Sequence, residues 1–489
     1  MTSKSTKRAL ITSALAILMC AAMLIGATFA WFTDTASTGV NKIVSGNLKV
    51  DIIGADSDSH IEKLNFTKAA TTDAEAGAEI LWEPGCRYLT EGFRIANKGN
   101  LALKWKAQVN TGTTAANEGN FDLLDVIDFY LVTKAADGTE TETALDEFTG
   151  NLKKTETSDV YYIKGVMQTT AGNDYQGLTL DGISITVVAT QDTVESDSFD
   201  NQYDKDAEYP ILVTTGDELQ AIVSNATAPV NIVLTNSITT NNFVIPADKD
   251  VTLDLNGRTV TNAESHTILN QGHLTLTDSS ADKSGQIISL KGNTAALRNG
   301  DNAVCVVEGG TISRDGANGN TWHVVENFGK MTFNGGKVVL KNGNGFAITN
   351  GWNYFDPGAS TTHAVMEINA LELDTDSSGI KNCRYGDLTV NNVTVTSTGY
   401  WALSNDYLGT AVINGGTLTS NSFKAVSNGA AMTVNGGTFD GTQGFFVQSY
   451  ATSTVLNGGT FANMNVDALS SYVGTGHTAQ QSGTSVIIK

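Results

Sequence analysis

Three segments decide the fold of this chain: Asn414-Gly-Gly-Thr-Leu, Asn435-Gly-Gly-Thr-Phe and Asn457-Gly-Gly-Thr-Phe. They are 21 and 22 residues apart, and each follows a short apolar run. A fixed period in this range, with no helical pattern inside it, predicts a solenoid whose unit is one coil of short strands. Asn-Gly and Gly-Gly dipeptides supply the positive-φ corners between those strands.

The same turn signal recurs upstream, mostly in steps of 20 to 26 residues. Two longer steps, of 30 residues to Glu308 and 35 residues to Asn369, indicate loops inserted into single coils. The register therefore extends over the whole second half of the chain. The turn-marking positions are Asn236, Asn256, Asp278, Glu308, Asn334, Asn369, Asn391, Asn414, Asn435 and Asn457.

A second ladder runs out of phase with the first, with an aliphatic residue two places before an Asn. Stacked Asn side chains at a left-handed corner, each bonded to the next coil, are typical of parallel β-helices, and this pattern resembles them. We interpret these residues as a structural ladder, with ligand binding as the alternative. In the last coil the pattern predicts Val447 and Ser449 at the equivalent positions. The ladder residues are Asn270, Asn299, Asn327, Asn350, Asn382, Asn405 and Asn428.

Length and composition agree with this reading. The 489 residues exceed one typical domain, and 49 Gly against 5 Pro, with many Thr, Val and Asn, favour an all-β protein. Acidic residues outnumber basic ones by 51 to 30, which gives a net charge of −21. Nucleic acid and anionic membrane surfaces are therefore poor partners for the chain as a whole.

Residues 1–30 have the pattern of a secretory signal peptide. Basic residues precede an apolar run, which ends in small residues at Ala30. We expect cleavage between Ala30 and Trp31 and a secreted protein, found outside the cell or at its surface. An uncleaved anchor helix is the alternative, and it is the one membrane contact we expect.

Cleavage removes one of the four cysteines and leaves Cys86, Cys305 and Cys383. An odd number of cysteines does not form a disulfide scaffold, so we read them as apolar fillers or free thiols. No His-Glu-x-x-His motif is present, and His60 is the one His between residues 31 and 205. We therefore expect no metal centre or cofactor; the acidic linker at residues 197–206 is a candidate for weak Ca²⁺ binding only.

Residues 31–205 read as a β-sandwich with one short helix near residues 123–129. Its motifs and their order resemble the TasA/camelysin family of secreted bacterial surface and biofilm-matrix proteins. The resemblance implies a jelly-roll sandwich whose N-terminal segment, here residues 31–50, completes a neighbour's sheet and builds fibres. The alternative is that this segment forms the first strand of its own domain. The motifs are Trp31-Phe-Thr-Asp34, Ser45-Gly-Asn-Leu48, Trp82-Glu-Pro-Gly85, Phe93-Arg-Ile-Ala-Asn97 and Ile183-Ser-Ile-Thr-Val-Val-Ala189.

Residues 206–489 are predicted to form a right-handed parallel β-helix that resembles pectate-lyase-like solenoids. A short amphipathic helix near residues 216–224 is expected to cap its open end. Many such solenoids are polysaccharide lyases or glycoside hydrolases, which need acids on neighbouring coils. Asp374 and Asp440 share a coil position but are three coils apart, about 14 Å. Arg298, Arg314 and Arg384 form no cluster with them.

Aromatic residues suggest a binding surface instead. Trp352, Tyr354 and Phe355 lie in the inserted loop of the longest coil, and Trp401 stands four places before a ladder Asn. Strand alternation places such residues toward the core, whereas a bend in the strand would expose them as a stripe for sugar rings or a protein partner. The residues four places before the ladder position are His266, His323, Phe346, Trp401 and Phe445.

From the sequence we predict a non-enzymatic surface or matrix protein. The sandwich mediates assembly or docking, and the β-helix presents an extended face to a glycan or a surface protein. The alternative is a β-helix enzyme acting on polysaccharide, with the sandwich as its attachment module.

Overall fold

The computed structural model describes most of the chain from residue 47 onward, and Asn47–Lys489 form one compact unit. The predicted signal peptide, its cleavage site at Ala30 and Trp31, most of the predicted fibre-building segment, and Tyr354 and Phe355 lie outside the described residues. The described ranges are 47–61, 64–67, 80–110, 113–114, 121–145, 148–181, 184–192, 207–315, 322–343, 345–352 and 362–489.

The predicted parallel β-helix is confirmed, with about 10 turns in the described part of the chain. Each coil contributes one short strand to each of three sheets, named sheets 1, 2 and 3 in chain order. Alternation fixes the core: Val251 and Leu253 are buried, while Thr252 between them faces outward. The strands of sheet 1 are Ile211–Val213, Val230–Leu234, Asp250–Asp254, His273–Thr277, Val304–Val307, Lys330–Phe333, Ala364–Ile368, Gly386–Val390, Thr410–Ile413, Ala431–Val434 and Ser453–Leu456.

Sheet 2 follows sheet 1 across a corner, corner 1–2, that carries the Asn-Gly turns. Gly416 lies at this corner with φ of 101°, and a Cβ there would come within 2.6 Å of the Val393 carbonyl oxygen. Only glycine fits such a corner without strain. The parallel strands of sheet 2 are Ile238–Thr239, Thr259–Asn262, Gln286–Ser289, Thr311–Asp315, Lys337–Lys341, Glu372–Thr375, Thr394–Ser397, Thr417–Ser420, Thr438–Gly441 and Gly459–Ala462.

Most strands of sheet 3 have three residues, and in most coils the ladder Asn is the last residue of its strand. Corner 2–3 leads into this sheet and corner 3–1 leads out of it. The middle residue of each three-residue strand faces outward, which defines a single outer column. The strands are Phe243–Ile245, Ile268–Asn270, Leu297–Asn299, Val325–Asn327, Phe346–Asn350, Ser378–Asn382, Leu403–Asn405, Val426–Asn428 and Phe445–Val447.

Both ends of the β-helix are capped. At the N-terminal end, helix Gly216–Asn225 lies where the sequence predicts it and buries Leu219 and Val223 against the first coil. Gln220 on this helix accepts from the Val244 N–H at 2.8 Å and donates to its carbonyl at 3.1 Å, which satisfies an edge strand of sheet 3. At the other end, helix Val466–Leu469 and an antiparallel hairpin cover the last coil. The hairpin strands are Ala479–Ser482 and Ser485–Ile488.

The N-terminal region is an antiparallel structure. A curved sheet and a smaller sheet contribute to one hydrophobic cluster that contains Phe93, Ile95, Leu103, Trp105 and Ile163. A short ribbon pairs Thr113–Thr114 with Leu180–Asp181. The larger sheet contains Val50–Gly54, Phe66–Thr67, Arg87–Thr90, Phe93–Asn97, Ile127–Lys134, Glu140–Ala144 and Tyr161–Met167, and the smaller contains Leu103–Asn110, Phe148–Leu152 and Ser184–Gln191.

The predicted helix at residues 123–129 is wrong beyond its first turn. A 3-10 turn, Leu123–Asp125, begins with the Asp122 side chain accepting from the Leu124 N–H at 2.8 Å. The chain then enters strand Ile127–Lys134, which pairs along its length with Tyr161–Met167. A run of β-branched and aromatic residues favours the strand over helix continuation once a partner strand is present.

The start of the described chain pairs with its own domain. Strand Val50–Gly54 is antiparallel to Phe93–Asn97, and the Lys98 N–H donates to the Lys49 carbonyl at 2.8 Å. Residues 47–50 of the proposed donor segment therefore have partners within the same chain. The described residues contain no helix that is long and apolar enough to cross a bilayer.

Candidate functional site

The seven ladder residues form a continuous inner ladder at the end of the sheet 3 strands. Each Nδ2 donates to the Oδ1 of the next Asn at 2.7–2.9 Å, from Asn270 through Asn428. The same Nδ2 groups also donate to carbonyls of nearby coils, as Asn382 does to Thr410 at 3.0 Å. Their side chains are buried, with at most 1% of each residue exposed. These contacts use the amides for structure rather than for a ligand.

A second, outer ladder runs along corner 1–2. The turn-marking residues from Glu308 to Asn457 join their side chains from coil to coil, again at 2.7–2.9 Å. Most of these side chains are solvent-accessible, so water competes for their hydrogen bonds. The outer ladder therefore marks the register more than it stabilises the coil.

A row of aromatic side chains lies along corner 2–3, and we call it the entry row. Phe346 and Trp401 are nearly parallel, at 10°, with ring centroids 6.0 Å apart. Trp401 also meets Phe423 edge-on at 5.5 Å, and Tyr400 beside it is 55% exposed. Of the residues expected to stack in the core, His323, Phe346 and Trp401 are half-buried, whereas Phe445 is buried in the core cluster of the β-helix. The entry row comprises Trp322, His323, Phe346, Tyr400, Trp401 and Phe423.

The last coil departs from the predicted register. Phe445, not Val447, pairs with Val426, and Val447 takes the place opposite Asn428. Ser449 therefore does not continue the inner ladder. Phe445 is buried and packs edge-on against Phe439 and Phe461, at 5.8 and 5.3 Å. The gain from burying this ring in the terminal core outweighs the continuation of the Asn pattern.

A second row, the exit row, lies along corner 3–1 on the other side of sheet 3. Phe328 and Trp352 contact each other with centroids 4.4 Å apart. Further along the axis, Tyr407 is 47% and Tyr450 is 56% exposed. Trp352 and Trp401 thus lie on opposite sides of sheet 3 rather than together. The exit row comprises Phe328, Trp352, Tyr385, Tyr407 and Tyr450.

The outer column of sheet 3 separates the two rows and carries polar and charged side chains. Glu326 accepts from Arg298 at 3.1 Å and from Trp322 Nε1 at 3.0 Å. Lys381 forms an ion pair with Asp406 at 3.3 Å. We call the two rows and this column the aromatic face. The column runs Arg298, Glu326, Thr349, Lys381, Ser404, Ser427 and Phe446.

Burial controls the ionisation of several groups at this face. Burial raises the pKa of Glu326, although Arg298 and Trp322 oppose the shift by stabilising its carboxylate. Burial lowers the pKa of His323 to about 4 and that of His266 to about 4, so both rings are neutral at pH 7. The neutral His323 ring accepts from the Phe346 N–H at 3.2 Å, and the neutral His266 ring accepts from the Ala295 N–H at 2.8 Å.

Glu326 is a candidate site residue that the sequence did not single out. It stands one place before ladder residue Asn327, and every residue at that place faces outward from sheet 3. The ladder register alone was therefore sufficient to select the whole outer column. What the sequence did not signal was its burial, with only 3% of the residue exposed.

The acids considered for catalysis lie far apart. Asp374 and Asp440 are three strands apart in sheet 2, as expected, and Asp374 pairs with Lys341 at 2.9 Å. Glu326 and Asp406 are likewise three coils apart, about 14 Å along the axis. No group of three or more His, Cys, Asp or Glu in the described part of the chain is placed to hold a metal ion.

The cysteines and His60 occupy structural positions. Cys305 and Cys383 are free and buried, and burial raises the pKa of each thiol to about 12. Cys86 is free and half-buried. His60 is exposed and contacts Asp51 at 2.6 Å.

Comparison with known proteins gives no relative: no family model, no curated protein and no solved structure matches this chain. The resemblance of the N-terminal region to the TasA/camelysin family therefore rests on its sequence motifs.

Proposed function

We propose that this chain is a secreted, non-enzymatic surface or matrix protein of a bacterium, and that its β-helix binds glycan through the aromatic face. In this proposal the N-terminal region is a jelly-roll-like sandwich that mediates assembly or docking. The β-helix is right-handed, the hand that parallel crossovers almost always take. It serves as a rigid support that holds the binding face at a distance from the attachment point.

The observation that carries the proposal is the position of the aromatic rings. Rings on two corners of the same sheet are aligned along the axis, and Tyr400, Tyr407 and Tyr450 are about half exposed. Aligned, exposed rings on a soluble protein mark an interaction surface. Aromatic faces suit pyranose rings, because they cover the apolar C–H face of a sugar while neighbouring polar groups bond its hydroxyls.

The test is glycan binding by the full-length chain and by variants Trp401→Ala and Trp352→Ala. We expect immobilised polysaccharides to retain the wild-type chain and each variant to bind roughly 5- to 150-fold more weakly, since an aromatic contact is worth on the order of 1–3 kcal/mol. Tyr162→Ala, in the N-terminal region, is the matched control and leaves binding unchanged. Equal binding by all four proteins refutes the proposal.

Assembly through the N-terminal segment is a separate part of the proposal. Residues 47–50 pair within the chain, so a fibre-building donor has to come from residues 31–46. Electron microscopy of the mature chain with and without residues 31–46 tests this. Fibres in the first sample alone support the donor segment, whereas monomers in both remove it.

The enzymatic alternative has one observation in its favour. Glu326 lies on the aromatic face with a raised pKa, as a general acid requires. Its neighbours in the outer column are Arg298 and Thr349, so a second carboxylate would have to come from elsewhere. Glu326→Gln distinguishes the two functions. If wild-type protein shortens a polysaccharide and the variant does not, the enzyme is supported; if neither does and both bind, the binding role is supported.

A further inference from the structure

We propose that the C-terminal part of the aromatic face takes an anionic glycan, which crosses sheet 3 between Arg384 and Lys424. This inference rests on the proposed function and specifies the ligand class of the same surface. Its floor consists of the small residues Ser404 and Ser427 in the outer column.

Arg384 and Lys424 are half-buried cations that form no ion pair with the carboxylates of the described residues. Arg384 lies over the Tyr385 ring at 4.7 Å and donates to the Tyr385 hydroxyl at 3.0 Å. Lys424 Nζ lies 3.7 Å from the centroid of Phe446 and 4.9 Å from that of Phe423.

Two acids of this face are already paired with cations. Asp406 pairs with Lys381 at 3.3 Å. Glu326, further along the column, is held by Arg298. Arg384 and Lys424 therefore remain available for charge from outside the chain.

The backbone holds Arg384 in place beside an aromatic residue. Trp352 and Arg384 are held side by side by a backbone bridge, in which the Trp352 N–H donates to the Arg384 carbonyl at 2.9 Å. This bridge fixes the position of Arg384 on the exit side of sheet 3 before a ligand arrives.

The spacing selects a polymer over a single small anion. Arg384 and Lys424 are two coils apart, about 10 Å along the axis, and they lie at opposite corners of sheet 3. One carboxylate or sulfate does not reach both. An extended glycan does, because its sugar units are about as long as one coil is tall and its charged groups recur along the chain. Trp401 flanks the same path and offers its ring to the uncharged face of a sugar.

The experiment measures binding of the full-length chain to alginate, dextran sulfate, uncharged dextran and a single-stranded oligodeoxythymidine at low and high salt. We expect alginate or dextran sulfate to bind best and to weaken with salt. Arg384→Gln and Lys424→Gln should each weaken that binding about tenfold, in line with the loss of one charge-assisted hydrogen bond. Lys341→Gln, a cation on sheet 2 paired with Asp374, is the matched control and leaves binding unchanged. Thermal melting checks that each variant is folded.

The outcomes separate this inference from the proposed function. If dextran binds as well as the anionic polymers and Arg384→Gln binds like wild type, the anionic class is wrong and glycan binding stands. If no glycan binds, both proposals fail. If the oligodeoxythymidine binds as tightly as alginate and with the same sensitivity to Lys424→Gln, the face recognises polyanions rather than glycans, and the inference is overturned.

Discussion

Replacing Asn382 with Ala tests whether the inner ladder stabilises the β-helix. The Asn382 side chain is buried, donates to the Gly386, Asn405 and Thr410 oxygens at 2.9, 2.8 and 3.0 Å, and accepts from Asn350 at 2.9 Å. Asn382→Ala removes all four hydrogen bonds at once. It leaves the Asn405 Oδ1 without this donor in a place that water does not reach.

The expected loss of unfolding free energy follows from the burial of Asn382. An unsatisfied buried polar group costs about 1–3 kcal/mol, and Asn382→Ala affects several groups and opens a small cavity, so we expect a loss of roughly 3–5 kcal/mol of unfolding free energy. Asn414 on the outer ladder is the matched control. It also bonds its two neighbours, at 2.7 and 2.8 Å, but it is exposed. Water replaces its partners in Asn414→Ala, so we expect a loss below about 1 kcal/mol.

The assay is urea unfolding followed by circular dichroism. Repeat arrays can lose cooperativity, so limited proteolysis accompanies it and identifies the coils that open first. Cleavage of Asn382→Ala should begin in the coils that flank the substitution. If Asn382→Ala and Asn414→Ala lower the unfolding midpoint equally, burial is not what gives the inner ladder its role, and the reasoning fails.

Three further predictions follow from local geometry. The pKa of His323 is about 4 in the folded chain against 6.5 in the unfolded chain, so the unfolded state binds the proton more readily. The free energy of unfolding therefore falls as pH drops from 6.5 toward 4, and we expect a loss of roughly 1–2 kcal/mol at pH 5, measured by urea unfolding. His323→Gln should show a shallower pH dependence. Gly416→Ala should lower stability by about 2 kcal/mol or more in the same assay, because φ is 101° and the Val393 carbonyl blocks the added Cβ; wild-type stability in this variant would contradict that geometry. In a thiol-labelling experiment on the folded chain, Cys86 should react first, and Cys305 and Cys383 should react only on unfolding.

The sequence predicted the β-helix because its strongest signals are backbone requirements. The second Gly of the Asn-Gly-Gly turns at corner 1–2 has positive φ, and the ladder Asn needs a partner one coil away, so both recur with the coil. The exception is instructive. The sequence spacing predicts that Val447 faces inward, but Phe445 occupies the inward position because the core at this end of the β-helix has room for a large ring. A repeat pattern in the sequence therefore fails in the last coil of the β-helix, where the tertiary packing differs from that of the inner coils.

The aromatic face was only partly predictable. The spacing selected Trp401 as a residue at a corner of sheet 3, but alternation alone suggested that its ring faces the core. A residue at a corner escapes the inward–outward rule, because the chain turns there by an amount that the sequence period does not encode. Partners that lie on other coils were equally hidden. Glu326 and Arg298 are 28 residues apart in sequence and meet only through coil stacking.

The inner ladder and the aromatic face are mechanically linked. In most coils the ladder Asn ends a sheet 3 strand, and the residue of the exit row follows one to three residues later, as Phe328 follows Asn327 and Tyr385 follows Asn382. The hydrogen bonds between the ladder side chains fix where each coil leaves sheet 3, and so they fix the spacing of the aromatic rings and the position of Arg384. A site held in this way is ordered before its ligand binds, which lowers the entropic cost of binding. Asn382→Ala should therefore weaken glycan binding at Arg384 even under conditions where the variant remains folded, while Asn414→Ala should not. Equal binding by both variants would show that the face is organised by its own contacts rather than by the ladder.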